Sequence, residues 1–254
     1  MRASTMALAC VLAALVMEGD LAVRVLVACE RSGVVRDAFR KRGHDAWSCD
    51  LAPAEDNSKY HVQGDVLWDF NSWMAGTWDL LIAHPPCTYL SSSGLHWNKR
   101  RPERAVEAEA ALSFALKLWA LPFSKACMEN PVGRLTNLMR RRCELIQAIQ
   151  PYQFGHDASK KTCLILRNLP KLRETKFIEP RMVCCGNVLP EGVGKSGCPN
   201  CEGENTARPR WANQTDSGQN KLGPSDTRAM DRARTYQGIA NAMAAQWGGR
   251  FLDE

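Results

Sequence analysis

Val23 to Cys29 is an unbroken apolar run rich in β-branched residues and closed by Glu30-Arg31-Ser32-Gly33, the pattern of a strand buried on both faces. Val34 to Lys41 follows with helical spacing. Val35, Ala38 and Phe39 share one face, Arg36, Lys41 and Arg42 lie outside, and Gly43 stops the helix. A second strand, Asp45 to Cys49, ends in Asp50, and a short third one ends near Gly64-Asp65. Asp79 to Ala83 is the clearest strand of all. Glu103 to Leu121 carries Ala, Val, Leu and Phe at helical spacing and closes at Pro122. Lys125 to Met128 reads as a fifth strand, Leu135 to Ile149 as a helix, and Thr162 to Leu166 as a further strand.

Strands alternating with helices at this rhythm predict an α/β fold, a doubly wound and mostly parallel sheet of Rossmann-like type with helices on both faces. Ligands bind such sheets at the carboxyl ends of the strands. Glu30, Asp50, Asp65, Cys87 and Glu129 all fall there. Beyond Pro170 the texture changes, with Gly, Pro, Asn, Ser and charged residues dominating and no helical period to about Arg232. Periodicity returns from Arg234 to Trp247 as a final helix. The expected organisation is an N-terminal extension (1–22), a main domain (23–170), a small loop-rich insert (171–232) and a C-terminal helix returning to the main domain (233–254).

The length of 254 residues suits one large domain with a small insert, and 45% hydrophobic with 24% charged residues excludes a disordered or collagen-like chain. The formal net charge is +6. The stretch from Trp97 to Arg142, with ten basic and four acidic residues, carries an equal excess by itself, which suits a polyanionic partner. The longest apolar run, Met6 to Met17, has twelve residues against the ~20 a membrane span needs. Lacking a small-x-small cleavage site, it reads as an extra helix or an upstream extension of the reading frame rather than a signal. Eleven cysteines, several inside apolar segments, suit reduced thiols in a cytoplasmic protein.

Pro85-Pro86-Cys87 places a thiol on a stiff turn at the mouth of the sheet, and Glu129-Asn130-Pro131 places a carboxyl group at the end of the next strand. In the order Ser32-Gly33, Asp50, Asp65, Pro86-Cys87, Glu129-Asn130, Lys160-Lys161 and Tyr236-Gln237 to Asn241, the chain resembles the DNA (cytosine-5) methyltransferases, particularly short phage-encoded members, from Arg24 to Trp247. The resemblance implies Cys87 as the nucleophile that attacks carbon 6 of a flipped cytosine, and Glu129 as the acid at ring nitrogen 3, with Asn130 positioning and Lys160 in the basic block. It implies S-adenosylmethionine along Cys29, Glu30, Ser32, Gly33, Asp50, Leu51, Asp65, Val66, Pro85 and Asn241. Asp50 would hold the ribose hydroxyls and Asp65 the adenine amine. Double-stranded DNA would meet Trp97, Lys99, Arg100, Arg101 and Lys161, the first four in the mobile loop of that family. The expected setting is the cytoplasm of a prokaryotic or phage-infected cell, with the protein a monomer.

Several positions depart from that family. Its first turn carries several glycines where this chain has Ala28-Cys29-Glu30-Arg31-Ser32-Gly33; His84 stands in place of a glycine and Thr88 in place of a glutamine; lysines replace arginines at 160–161, and Ala240 precedes Asn241. His84 reads by default as a packed, hydrogen-bonded histidine, with tuning of the thiol as the sharper reading. Two rival functions stay open: transfer to an exocyclic amine, since His84-Pro85-Pro86-Cys87 also resembles the polar-Pro-Pro-aromatic loop of amino-methyltransferases, and a DNA-binding relative without catalysis. A modified donor that delivers a larger group is a third variant. In the insert, Cys184, Cys185, Cys198 and Cys201 offer four thiolates for a structural Zn2+, against free thiols or a vicinal disulfide. The adjacent pair is the weaker half, because neighbouring side chains point apart.

Overall fold

The apolar runs assemble side by side in a computed structural model that describes residues 22–68, 78–189, 198, 207–215, 217–225 and 228–249. The N-terminal run Met6 to Met17, like Cys201, lies outside the described residues. Seven strands form one sheet: β1 (Arg24–Ala28), β2 (Asp45–Asp50), β3 (His61–Gln63), β4 (Leu80–Ala83), β5 (Lys125–Pro131), β6 (Leu145–Ile149) and β7 (Thr162–Arg167). Their spatial order is β3-β2-β1-β4-β5-β7-β6. All pair in parallel except β7, which is antiparallel to both β5 and β6. The architecture is thus α/β with a mostly parallel mixed sheet. Chain order reverses between β1 and β4, the crevice position where open α/β sheets bind ligands.

Alternation along the strands builds two apolar layers. Val25, Val27, Leu80 and Ile82 face one side, under α1 (Val34–Arg40) and the later helix α6 (Gln237–Trp247). Leu26, Ala28, Leu81, Ala83 and Met128 face the other, under α3 (Pro102–Trp119) and α4 (Arg134–Arg141). In α3 the buried residues Ala108, Leu112, Ala115, Leu118 and Trp119 recur every three or four positions, giving one face to the sheet. Trp247, fully covered at the end of α6, packs with Phe39 of α1 in the first layer, and its indole donates to the carbonyl of Pro170 at 3.0 Å. Such full burial contributes ~1.5–3 kcal/mol per large side chain.

Three sequence expectations change. The helix expected over Leu135 to Ile149 is a helix only to Arg141. A left-handed Cys143 (φ 60°) ends it, and Leu145–Ile149 becomes β6, because its backbone N–H and C=O groups pair with the otherwise open edge of β7. The basic stretch from Trp97, expected as a loop, is helical: α2 (Leu95–Arg100) turns at Arg101 into Pro102 at the first position of α3. Arg36, expected on the solvent face of α1, is fully buried. Its guanidinium bonds Asp37 at 2.8 Å, Ser48 at 3.1 Å and Asp56, and Ser48 in turn bonds His61. A buried cation is tolerated when paired and hydrogen-bonded in this way, and the network ties the loop after β2 to α1.

The insert contains more order than its composition suggested. β8 (Arg181–Cys184), β9 (Asn187–Val188) and β10 (Arg208–Arg210) form a separate antiparallel sheet in the order β10-β8-β9, and α5 (Arg228–Ala233) precedes α6. No helix among the described residues is long and apolar enough to cross a membrane.

Candidate active site

The parallel strands all end on one edge, and the loops that leave β1, β4 and β5 meet there. His84 continues β4 by donating its backbone N–H to the carbonyl of Ala28 at 2.9 Å. Buried Pro85 follows, then exposed Pro86 and half-buried Cys87, whose carbonyl accepts the N–H groups of Leu90 and Ser91 at 3.0 Å. The loop after β5 is fastened to this turn. Asn130 Nδ2 donates to the carbonyl of Pro85 at 3.1 Å, Ser92 N–H to Val132 at 2.9 Å, and Arg134 N–H to Leu90 at 2.8 Å. The clamp depends on Gly133, where a Cβ would lie 2.0 Å from the oxygen of Leu90. Sequence reading passed over Gly133, because the backbone it must clear is more than forty residues away.

His84 Nδ1 donates to Glu129 Oε2 at 2.7 Å, and both side chains are largely covered. Burial alone pulls His84 down, but the hydrogen bond to Glu129 and the charges of Glu129 and Glu30 outweigh it and hold the imidazolium above its ordinary range. Burial pushes Glu129 up, yet the His84 bond, the charges of Lys160 and His84 and a hydrogen bond from Thr162 leave its carboxyl below its ordinary range. The Cys87 thiol is raised by burial and by the Glu129 charge, while Lys160 and Arg232 pull it back. His84 Nε2 and Asn130 Oδ1 are buried and have no hydrogen-bond partner among the described residues. Buried polar atoms of this kind call for a hydrogen-bond partner such as a water or a polar group of a ligand.

Lys160 and Thr162 reach this edge because β7 runs backwards. The pairing of Pro131 with Thr162 sets the start of β7 against the end of β5. Lys160 lies just before the strand, and Lys161 is exposed. Glu129, Lys160 and Thr162 line a pocket with Ile149 and with Tyr236, Ile239 and Met243 from the α6 end of the chain. Its cavity, ≈ 10 Å³, is the room of about one water.

The β1–β3 half differs in chemistry. Cys29 ends β1 with a left-handed φ of 59°, and its thiol is raised above the ordinary range by burial and then by the charges of Asp50, Cys49 and Asp65, so the two carboxylates share this cleft with it. Glu30 is buried and accepts the N–H groups of Val35 at 2.7 Å and Arg36 at 3.2 Å at the start of α1, with Ser32 Oγ donating to it at 3.4 Å. Burial pushes its carboxyl up, against the charge of His84 and those two N–H groups. Gly33 (φ 70°) makes the turn, and a Cβ there would lie 2.2 Å from the Arg36 guanidinium. One oxygen of Asp50 accepts the N–H of Ala52, and one of Asp65 accepts that of Leu67, each at 2.9 Å. Leu51 stands 74% exposed beside them.

Not every expected residue joins the cleft. The Val66 side chain is buried in the second apolar layer, so it offers only its backbone. Asn241 is exposed on α6 and accepts from Gln237 at 2.9 Å. Trp97 is 41% exposed with the guanidinium groups of Arg101 and Arg100 at 5.1 and 5.7 Å from its ring, while the Lys99 side chain lies outside the described residues. Apart from the cleft, the sulfur atoms of Cys184, Cys185 and Cys198 lie within 4.8 Å of one another and could hold a metal ion. No family model matches this chain, and no curated protein matches it.

Proposed function

We propose that the protein is an S-adenosylmethionine-dependent DNA cytosine-5 methyltransferase that attacks a flipped cytosine through Cys87. The observation that carries this reading is the clamp between the β4 and β5 loops, which holds the Cys87 turn beside the His84–Glu129 pair with Lys160 behind it. A partly exposed thiol next to a buried carboxyl group is the pairing that addition to carbon 6 of cytosine requires: a soft nucleophile and a proton donor for ring nitrogen 3.

The first half of the cleft fits a cationic donor and disfavours a phosphate-bearing one. In a dinucleotide site the pyrophosphate rests on the N–H groups at the start of the first helix. Here the Glu30 carboxyl group occupies those donors, and Asp50 and Asp65 add two further acids nearby. The sulfonium and ammonium groups of S-adenosylmethionine suit such a lining, and exposed Leu51 offers its adenine an apolar cover. When bound, that donor supplies an electrophilic methyl group. Glu30, Asp50 and Asp65 would orient it, and Gly33 keeps the turn close.

The chain's own residues divide the proton work. The resting His84–Glu129 pair holds one dissociable proton, drawn onto the imidazole by the ionised carboxylate. A cytosine whose nitrogen 3 meets Glu129 would take that proton through the carboxyl group, with His84 returning to neutral across the same 2.7 Å bond. Lys160 favours ionisation of the Cys87 thiol before the attack and stabilises the Glu129 carboxylate left once the proton has moved to the ring.

The test is incubation with duplex DNA and labelled S-adenosylmethionine, followed by mass spectrometry of the nucleosides. 5-Methylcytosine is expected, together with a covalent adduct on DNA containing 5-fluorocytosine that Cys87→Ser abolishes. A methyl group on an exocyclic nitrogen, or an adduct that survives Cys87→Ser, overturns the assignment.

A further inference from the structure

We propose that Cys184, Cys185 and Cys198 are thiolate ligands of a structural zinc ion that organises the small β8–β10 unit. The proposal rests on geometry in the insert and is independent of the reading of the cleft.

The three sulfur atoms lie within 4.8 Å of one another, and those of Cys184 and Cys185 are 3.8 Å apart. A tetrahedral zinc site with Zn–S bonds of about 2.3 Å separates its sulfurs by about 3.8 Å, whereas a disulfide would bring them to about 2.05 Å. Adjacent cysteines normally point to opposite sides of a strand. Here the chain turns between them. Cys185 (φ 53°) and Gly186 (φ 78°) are both left-handed, the arrangement of a two-residue hairpin turn joining β8 to β9. The first central position of such a turn favours Asn, Asp or Gly, yet here it holds a cysteine, and the turn brings its sulfur to the same side as that of Cys184.

The surroundings need such a centre. The apolar cluster of this unit consists of Cys184, Leu189, Cys198 and Ala207, with Met182 against it. Two of those four are the thiol residues themselves, so among the described residues the sulfur atoms sit at the centre of this small cluster, where a metal would tie its members together. The soft, all-sulfur donor set selects zinc over the hard cations calcium and magnesium. The fourth corner falls to a ligand beyond these three. In sequence the nearest further thiol is Cys201, in the Cys198-Pro199-Asn200-Cys201 spacing of zinc knuckles.

The experiment is elemental analysis of the full chain, purified under reducing conditions without chelator, followed by replacement of the bound metal with cobalt. Near-stoichiometric zinc is expected, with cobalt giving strong thiolate charge-transfer bands in the near ultraviolet and tetrahedral bands in the red. Cys198→Ser should lose the metal. Cys143→Ser, at an exposed cysteine after α4, should keep it. Metal content is read without DNA or methyl donor, so its outcome and that of the methyltransfer assay are separable. A reduced wild-type chain free of zinc and giving no cobalt band overturns the proposal. So does a Cys198→Ser variant with unchanged zinc, a Cys184–Cys185 disulfide in the peptide map, or iron in place of zinc.

Discussion

Gly133→Ala tests the clamp on which the candidate site depends. The added Cβ would fall 2.0 Å from the carbonyl oxygen of Leu90 and 2.9 Å from the N–H nitrogen of Ser92, both backbone atoms that no side-chain rotation can move away. Ordinary contact begins near 3.4 Å, so the two loops must part by more than about 1 Å. That is enough to break the bonds from Arg134 to Leu90 (2.8 Å) and from Ser92 to Val132 (2.9 Å). Each bond is worth ~1 kcal/mol net and up to ~3 kcal/mol if its groups stay buried and unpaired, so the loss of the two should come to about 2–6 kcal/mol. For a chain of this size that lowers the melting temperature by roughly 4–24 °C. Activity should fall further than stability, because a displacement of about 1 Å between reacting groups costs on the order of 100-fold. The assay is thermal unfolding followed by circular dichroism, with Gly223→Ala as the control, since nothing lies within 4 Å of a Cβ at that position. If Gly133→Ala melts with the parent and with Gly223→Ala, the close approach of the two loops is not what holds them.

Three further outcomes follow from the charges around the thiol and from one partly buried ring. Lys160→Gln removes a charge that pulls the Cys87 thiol and the Glu129 carboxyl down, so the limb on which the rate rises with thiol ionisation should move to higher pH and the neutral-pH rate should drop by on the order of 100-fold; an unmoved limb would separate Lys160 from the chemistry. For the parent, the rate of adduct formation with 5-fluorocytosine DNA should climb with pH beyond the ordinary thiol range, because burial and Glu129 hold Cys87 above it, and a plateau by pH 7 would contradict that. His156 Nε2 accepts the N–H of Gly238 at 2.8 Å at the start of α6, and burial keeps its pKa low. The folded state therefore favours the neutral ring: its contribution is complete above the unfolded value of about 6.5 and is lost as pH falls toward the lowered folded value. His156→Gln should flatten that part of the melting-temperature profile, measured against the parent from pH 7.5 to 5, and parallel profiles would rule the ring out.

The sheet itself was legible because β1, β4 and β5 are buried on both faces and read as continuous apolar runs. The strand-end acids and Cys87 were legible because parallel strands deliver their carboxyl ends to one edge. Arg36 was not. Its position on α1 fits a solvent face, and the partners that allow its burial, Ser48 and Asp56, lie twelve and twenty residues away across β2 and its loop. His84 reads as a packed, hydrogen-bonded histidine, and it is one, but the identity of its partner was not legible: Glu129 lies 45 residues on, and no local pattern announces a contact made only after β4 and β5 pair. Gly133 shares the same cause, since a glycine's need is set by what approaches it.

The reversal of β7 was the largest gap, and it matters most for the site. With Leu135 to Ile149 read as one helix and the sheet as mostly parallel, the pattern of Thr162 to Leu166 marks a further strand without fixing its direction. Once Cys143 ends α4 and β6 is separated from it, only about a dozen residues join β6 to β7, and their sole helical element is a single turn at Pro151–Gln153. A parallel return needs a dozen or more residues and usually a full helix to cross the sheet, so the chain doubles back instead. Direction then decides chemistry. In a parallel β7 of six residues, Lys160 would stand at the opposite edge of the sheet, about 20 Å from Glu129. Antiparallel, it stands behind the carboxyl group and close enough for its charge to act on both Glu129 and Cys87. A pair of lysines that reads as a basic block in the sequence thus separates in the fold. One helps to line the pocket and the other remains exposed on the surface.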